Sequence, residues 1–206
     1  MTGVFFSYSN KSQVQRQCLQ AIFLSIFGIG SKAISRKILL TTGVVDNLPN
    51  IQGMSQLWGR TVLNCPYCHG WEVRNEPLAV HGNGQDGLSL ALTFNWSHDV
   101  VLCTNGPANL DEIDRKRLAS KNIAIYEQYI DRLDYSEDKL ESIIFTDGSF
   151  LERQALFVRP PQQQRSSLPS QLGCAFTETG KIKIDESGRT TVSDVYAAGD
   201  AVRMMQ

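Results

Sequence analysis

The chain has 206 residues, 42% of them apolar and 20% charged, a balance that fits one or two small globular domains. Twenty basic residues against twenty-one acidic ones leave it nearly neutral, so nothing in the charge points to nucleic acid or to an acidic interaction arm. Five cysteines, an odd number in a chain of ordinary composition, exclude a secreted disulfide framework and fit a reducing, cytoplasmic compartment in which one pair is redox-active.

In chain order, Ala21 to Ile29 is apolar, with Lys11 and Arg16 ahead of it. It is far shorter than the about 20 residues of a bilayer span, and Lys32 and Arg36 stand where a small-residue cleavage site would follow. A buried strand or helix, or a non-native start, is expected there, with no membrane segment. Lys37 to Leu40 reads as a short strand ending at Thr41-Thr42-Gly43, and Asp46 to Asn50 as a turn-rich linker. Thr61 to Leu63 is a second apolar run, feeding Cys65-Pro66-Tyr67-Cys68-His69-Gly70.

Leu78 to His81 is a strand running into Gly82-Asn83-Gly84-Gln85-Asp86-Gly87, with His81 a structural histidine at its end. Leu88, Ala91, Leu92, Asn95 and Trp96 then fall on one helical face, and Val100 to Cys103 closes a βαβ unit. Asn109 to Lys121 predicts a polar helix whose solvated face carries Asp111, Glu112, Asp114, Arg115, Lys116 and Arg117. Ile123 to Leu133, Leu140 to Thr146 and Ala155 to Val158 predict strands, with Asp147-Gly148 turning between two of them. Pro160 to Ser167 reads as a surface loop, and Val192 to Ala198 as a buried strand entering Gly199-Asp200. The predicted class is α/β, with a Rossmann-like nucleotide-binding domain at its centre.

Two motifs carry chemistry. In Gly82-x-Gly84-x-x-Gly87 the glycines serve the turn, the close approach of backbone to a pyrophosphate, and helix–strand packing; the helix start aims free N–H groups at negative charge. The competing reading is a tight strand-to-helix turn that binds nothing. The next strand should end in an acid for a ribose hydroxyl or a base for a 2′-phosphate, yet it ends in Cys103-Thr104-Asn105-Gly106. That makes NADPH a doubtful cofactor. In Cys65-x-x-Cys68 a two-residue gap permits a small-ring disulfide. Pro66 suits a helix start, a first helical turn would stabilise a Cys68 thiolate, and His69 can exchange the proton. Zinc lacks a second ligand pair, a c-type haem lacks its usual context, and two inert buried cysteines remain an alternative. No metal site is expected.

Thr42-Gly43, Cys65-Pro-Tyr-Cys68-His69-Gly70, Gly82-x-Gly84-x-x-Gly87 and Val195-Tyr-Ala-Ala-Gly199-Asp200 occur in an order that resembles the thioredoxin reductase-like flavoproteins, especially the Cys-x-x-Cys-His-Gly branch with the gliotoxin-type dithiol oxidases. The resemblance runs from about Lys37 to Arg203. It implies a flavin-dependent thiol–disulfide oxidoreductase in which a central NAD(P)-binding-like domain, residues 46–154, carries the disulfide. Parts of an incomplete FAD domain flank it, in residues 1–45 after a non-family start and in 155–206. By the same resemblance Cys65 is the interchange thiol, Cys68 lies against the flavin, and His69 is the acid/base. Thr42, Gly43, Gly199 and Asp200 border FAD. The implied substrate is a small dithiol or disulfide, or a thioredoxin-like protein.

Two departures bear on this. Residues 1–36 hold no full strand–glycine–helix unit, Gly28-Ile29-Gly30 lacking the third glycine, and the chain stops at Gln206 just after Gly199-Asp200. A truncated chain is therefore expected, completed by a homodimer or a complementing chain, or else a non-catalytic fragment or binding module that keeps the central fold. Without a first strand, Lys37–Leu40 and Val192–Ala198 would lack a sheet neighbour.

Overall fold

Short apolar runs of four residues, separated by glycine- and proline-marked turns, are too brief for helices and pair as strands in the computed structural model, which describes residues 3–6, 13–17, 22–26 and 32–203. In chain order the strands are β1 (Gly3–Phe6), β2 (Gln13–Gln17), β3 (Ile22–Ile26), β4 (Lys32–Ser35), β5 (Lys37–Leu40), β6 (Val44–Asp46), β7 (Val62–Leu63) and β8 (Leu78–His81). They continue as β9 (Val100–Cys103), β10 (Ala124–Tyr126), β11 (Ile130–Ser136), β12 (Lys139–Phe145), β13 (Phe150–Glu152), β14 (Ala155–Val158), β15 (Gln162–Gln164) and β16 (Val195–Ala197). The helices are α1 (Met54–Leu57), α2 (Pro66–His69), α3 (Gly84–Leu92), α4 (Glu112–Ser120) and α5 (Leu168–Gln171). The chain divides into two units, one of residues 1–47 and 161–206, the other of residues 48–160.

The second unit is built on a parallel five-stranded sheet of order β10-β9-β8-β14-β7. Its central strands β8, β9 and β14 are buried on both faces, as parallel strands must be when both sides are covered. Alternation along each strand sorts the residues. Leu78, Val80, Val100, Leu102, Ala155 and Phe157 pack with Leu88, Leu90 and Ala91 of α3 and Leu118 of α4, where Phe94 meets Phe157 edge-on at 4.5 Å between ring centres. Ala79, Val101, Cys103, Leu156 and Val158 face Ile130, Leu133, Leu140, Ile143 and Phe145 of the antiparallel sheet β11-β12-β13. Each Val, Leu, Ile or Phe among them, fully buried, contributes about 1.5–3 kcal/mol, and together they make this sheet the rigid platform for the turns at its carboxyl end.

In the first unit β5 lies between β1 and β16 in a parallel three-stranded sheet, β2-β3-β4 form an antiparallel sheet, and β15 pairs antiparallel with β6. Ile38, Leu40, Val195, Ala197, Leu168 and Ile182 form its buried cluster.

Strands β8, β9 and β14 begin and end where the apolar pattern predicts, and the βαβ unit is present. Four expectations are corrected. The edge of β5 expected to lack a neighbour is occupied by β1. The helix after Gly84 closes at Leu92, so Asn95 and Trp96 are not on it, and the predicted strand over Ile123–Leu133 is two strands, β10 and the start of β11. Pro160 to Ser167, a loop by composition, contains β15, because Gln162 to Gln164 satisfy their backbone on the edge of β6. The segment Ala21 to Ile29 contains β3, a strand; its other residues, Cys18 and Gly28-Ile29-Gly30 lie outside the described residues. No helix among the described residues is long and apolar enough to cross a membrane.

Candidate functional site

Strand β7 delivers the chain to Cys65 at the carboxyl end of the parallel sheet. Cys65 is the N-cap of α2, with Pro66 in its first turn, where a missing N–H costs nothing. The cap geometry turns the two sulfurs toward each other: Cys65 Sγ accepts the Cys68 backbone N–H at 3.2 Å and the Cys68 S–H at 2.6 Å. Cys65 is buried, 3% exposed, while Cys68 is open to solvent. The helix start, expected to stabilise a Cys68 thiolate, is opposed by the contact with Cys65. The hydrogen bond that Cys68 gives to Cys65, and then the loss of solvent, hold its thiol above the ordinary value, and four residues of helix supply little dipole.

His69 follows in the same turn with its backbone N–H on the Cys65 carbonyl at 3.2 Å. Its ring Nδ1 is buried without a hydrogen-bond partner, so no bond ties the imidazole to either sulfur. Gly70 ends the turn because a side chain there would collide with the Trp96 ring and the Pro66 carbonyl. Trp96 meets Trp71 edge-on at 6.1 Å, and the Arg74 guanidinium lies 4.0 Å over the Trp71 ring. Composition alone gave no sign of this aromatic support, because Trp96 reaches the dithiol turn from a different loop.

Two strands away, β8 ends in the glycine turn. A Cβ on Gly87 would stand 2.5 Å from the Gly82 carbonyl carbon and oxygen, so the turn and α3 pack backbone to backbone as the fingerprint requires. The space in front of the helix start is taken by the protein itself. Asn83, the N-cap, accepts the Gly84 N–H and the Asn109 N–H at 2.8 Å each through Oδ1, and donates through Nδ2 to the Pro107 and Thr104 carbonyls at 2.9 and 3.3 Å. Its type and place before a helix were the signal for a cap; that it bridges to the loop after β9 was not legible.

That loop offers no counter-charge for a 2′-phosphate. Thr104 is buried with its hydroxyl on the Gly106 carbonyl at 2.6 Å, and Asn105 Oδ1 accepts the Ile130 N–H at 2.7 Å. The cations of α4 are engaged: Arg115 with Glu127 at 2.8 Å, Arg117 with Asp114 at 3.2 Å and Lys116 with Glu112 at 3.7 Å. The Arg115 hydrogen bond, helped by the Ala108 N–H, holds the Glu127 carboxyl below the usual range. Asp114, predicted on a solvated face, is buried and accepts from Gln85 Nε2 of the glycine turn at 2.6 Å. These residues do not fit NADPH.

The remaining predicted residues lie in the first unit, and the sheet brings them together. Thr42-Gly43 follows β5 and Gly199-Asp200 follows β16, the two parallel neighbours, with the Ala198 N–H on the Leu40 carbonyl at 3.0 Å. Thr42 is 6% exposed and its Oγ1 is buried with no partner among the described residues. Gly43 and Gly199 have φ of 66° and 73°, and among the described residues nothing stands within 4 Å of a Cβ at either, so the backbone there is open to a close ligand. An orphaned hydroxyl beside two uncovered turns fits the polar part of FAD. Among the described residues no three His, Cys, Asp or Glu side chains cluster to hold a metal.

Comparison with known proteins agrees with this arrangement. A probable thioredoxin reductase of Arthroderma benhamiae is 29% identical over 201 residues, covering 84% of this chain and 49% of its own length. The thioredoxin reductase sirT of Leptosphaeria maculans is 29% identical over 186 residues, covering 83% of this chain and 57% of its own length. The chain thus spans about half the length of these relatives. Among solved structures, HlmI matches with a TM-score of 0.84 at 33% identity, over 93% of this chain and 60% of that one. The thioredoxin reductase TrxB of Bacillus anthracis gives 0.84 at 28%, over 95% and 66%. The family model for pyridine nucleotide-disulphide oxidoreductases matches residues 6–206, which extends ahead of Lys37. The chain belongs to the pyridine nucleotide-disulphide oxidoreductase family.

Proposed function

We propose that this chain carries the dithiol and one side of the FAD site of a flavin-dependent thiol–disulfide oxidoreductase. The observation that carries this is the Cys65–Cys68 pair, whose sulfurs stand 2.6 Å apart in a proline-initiated turn at the carboxyl end of a parallel sheet. In the reducing direction Cys65, as thiolate, attacks one sulfur of a substrate disulfide, forming a mixed disulfide and expelling the other sulfur as thiolate. Cys68 then gives up its proton and attacks Cys65 Sγ, which frees the second substrate thiolate and leaves Cys65–Cys68 oxidised. Two electrons have passed to the substrate, and each departing thiolate takes a proton. His69, next in the chain to Cys68, is the group proposed to hold that proton. FAD, when bound, exchanges two electrons with the pair and so returns it to the other state.

Thr42, Gly43, Gly199 and Asp200 are proposed to border that FAD; residues 48–160, which take in β14 beyond the boundary expected at 154, are proposed to act as the dithiol-bearing domain, and residues 1–47 and 161–206 as the flavin side. Gly82, Gly84 and Gly87 are proposed to keep the shape of a dinucleotide turn, with NADPH excluded by the Asn83 cap and the paired cations. The substrate is a small dithiol or disulfide, or a thioredoxin-like protein, which has to reach the buried Cys65 past the exposed Tyr67, Cys68 and Trp71. A homodimer or a complementing chain is the proposed partner, and the cytoplasm, which keeps the unpaired cysteines reduced, the proposed compartment.

The test is alkylation with mass spectrometry on reduced and oxidised protein, alongside flavin retention after gel filtration with added FAD. Cys68 should alkylate before Cys65 when reduced, and both should be protected together when oxidised. Free alkylation of both under oxidising conditions overturns the dithiol reading. Absence of flavin on a correctly folded chain overturns the FAD reading for this chain.

A further inference from the structure

The Gly199-Asp200 turn is held from below by a buried charge that no motif announces. Lys181 is 7% exposed, and its Nζ donates to the Asp200 carbonyl at 2.9 Å and to Gln162 Oε1 at 2.8 Å. Gln162 in turn donates through Nε2 to Asp46 Oδ1 at 2.8 Å. A chain of hydrogen bonds therefore runs from a carboxylate on β6, across β15, through a buried ammonium, to the backbone of the turn. Gln164, two residues along β15 and on the same face, adds Nε2 to the Gly180 and Ala201 carbonyls at 2.9 Å each. The Ile182 N–H also reaches the Ala201 carbonyl at 2.9 Å. Successive carbonyls of the turn, those of Asp200 and Ala201, are thus bound on one side by side chains of Lys181 and Gln164. Gly199, at φ 73°, is left uncovered where its Cβ would stand.

A lysine taken nine-tenths out of water is costly unless its charge meets strong acceptors, and here one of the two is the turn itself. We propose that Lys181 is a positioning residue for FAD: its ammonium clamps the Asp200 carbonyl and fixes the Gly199-Asp200 turn in the form that the cofactor meets. This rests on the reading that the turn borders FAD. Gln162 and Gln164 share the task, and β15 exists to hold them at that register.

The test compares K181M, K181R and Q162L with the wild type in the 206-residue chain. FAD affinity is measured by quenching of flavin fluorescence, and hydrogen exchange is read at residues 199–203 without FAD. Loss of a charge-assisted hydrogen bond predicts an FAD Kd raised about tenfold in K181M, with faster exchange confined to the turn. K181R, which keeps the charge and the donors, should restore the affinity to within about threefold. Q162L should shift both readouts in the same direction as K181M and by less. Unchanged exchange at the turn in K181M, or tight FAD binding by K181M equal to that of the wild type, overturns the proposal. If K181M and K181R weaken FAD equally without speeding exchange at the turn, the residue is general packing and the proposal also fails. A wild-type chain that takes up no FAD overturns the FAD reading and this proposal with it, and the exchange data then show separately whether the clamp on the turn is real. Should K181M fail to fold, Q162L carries the same comparison.

Discussion

Replacing Asn83 by alanine isolates what fills the front of the glycine turn. The carboxamide makes four contacts: two accepted N–H bonds at 2.8 Å, from Gly84 and Asn109, and two donated bonds at 2.9 and 3.3 Å, to Pro107 and Thr104. Loss of the cap on α3 costs about 1 kcal/mol. Each bond to the loop after β9 is worth about 0.5–1 kcal/mol, and because the side chain is exposed water recovers part of it. The sum is about 2 kcal/mol. Trp58, Trp71 and Trp96, the chain's three tryptophans, all lie in residues 48–160, so tryptophan fluorescence during urea unfolding reports on this unit alone. The midpoint should fall by about 1 M urea with an unchanged slope. In the same variant the Gly84 N–H at the start of α3 and the Asn109 N–H of the facing loop become free, and ADP, followed by calorimetry, should bind more tightly than to the wild type although the protein is less stable. A stability loss below about 0.5 kcal/mol refutes the bridging role. Equal ADP affinity in both proteins refutes the idea that the carboxamide stands in the anion's place.

His81 makes the second unit sensitive to acid: burial, opposed by the contact of Nδ1 with the Cys103 carbonyl at 3.3 Å, keeps its proton affinity below the ordinary range. Above about pH 6.5 the ring is neutral folded or unfolded; as pH falls the unfolded chain binds the proton first, so stability present at neutral pH is lost below that point. Urea titrations across that range should show a smaller loss in H81Q than in the wild type, and equal losses would exclude His81 as the source. G87A places a Cβ 2.5 Å from the Gly82 backbone and should cost about 1–3 kcal/mol by tryptophan-monitored unfolding. A G87A protein as stable as the wild type would mean that the turn and α3 are not in backbone contact.

Local chemistry determined which segments are strands and where the dithiol and glycine turns fall. Leu78 to His81, Val100 to Cys103 and Ala155 to Val158 are apolar, short and bounded by turn residues, so their state follows from burial alone. The dithiol turn and the glycine turn were legible for the same reason: Cys-Pro-x-Cys and Gly-x-Gly-x-x-Gly act through contacts between residues at most five apart. The order of the sheet, the β1 neighbour of β5 and the split of Ile123–Leu133 into two strands depend on partners far along the chain, and pairing is not encoded in any window. The same holds for the residues that support the sites. Asn83 meets Asn109 across 26 residues, Trp96 lies under a turn 26 residues earlier, and Gln162 reaches Asp46 across 116. Composition marked Pro160 to Ser167 as loop because glutamines are polar, and only the edge of β6, by satisfying their backbone, made them a strand whose inward glutamines hold a buried lysine.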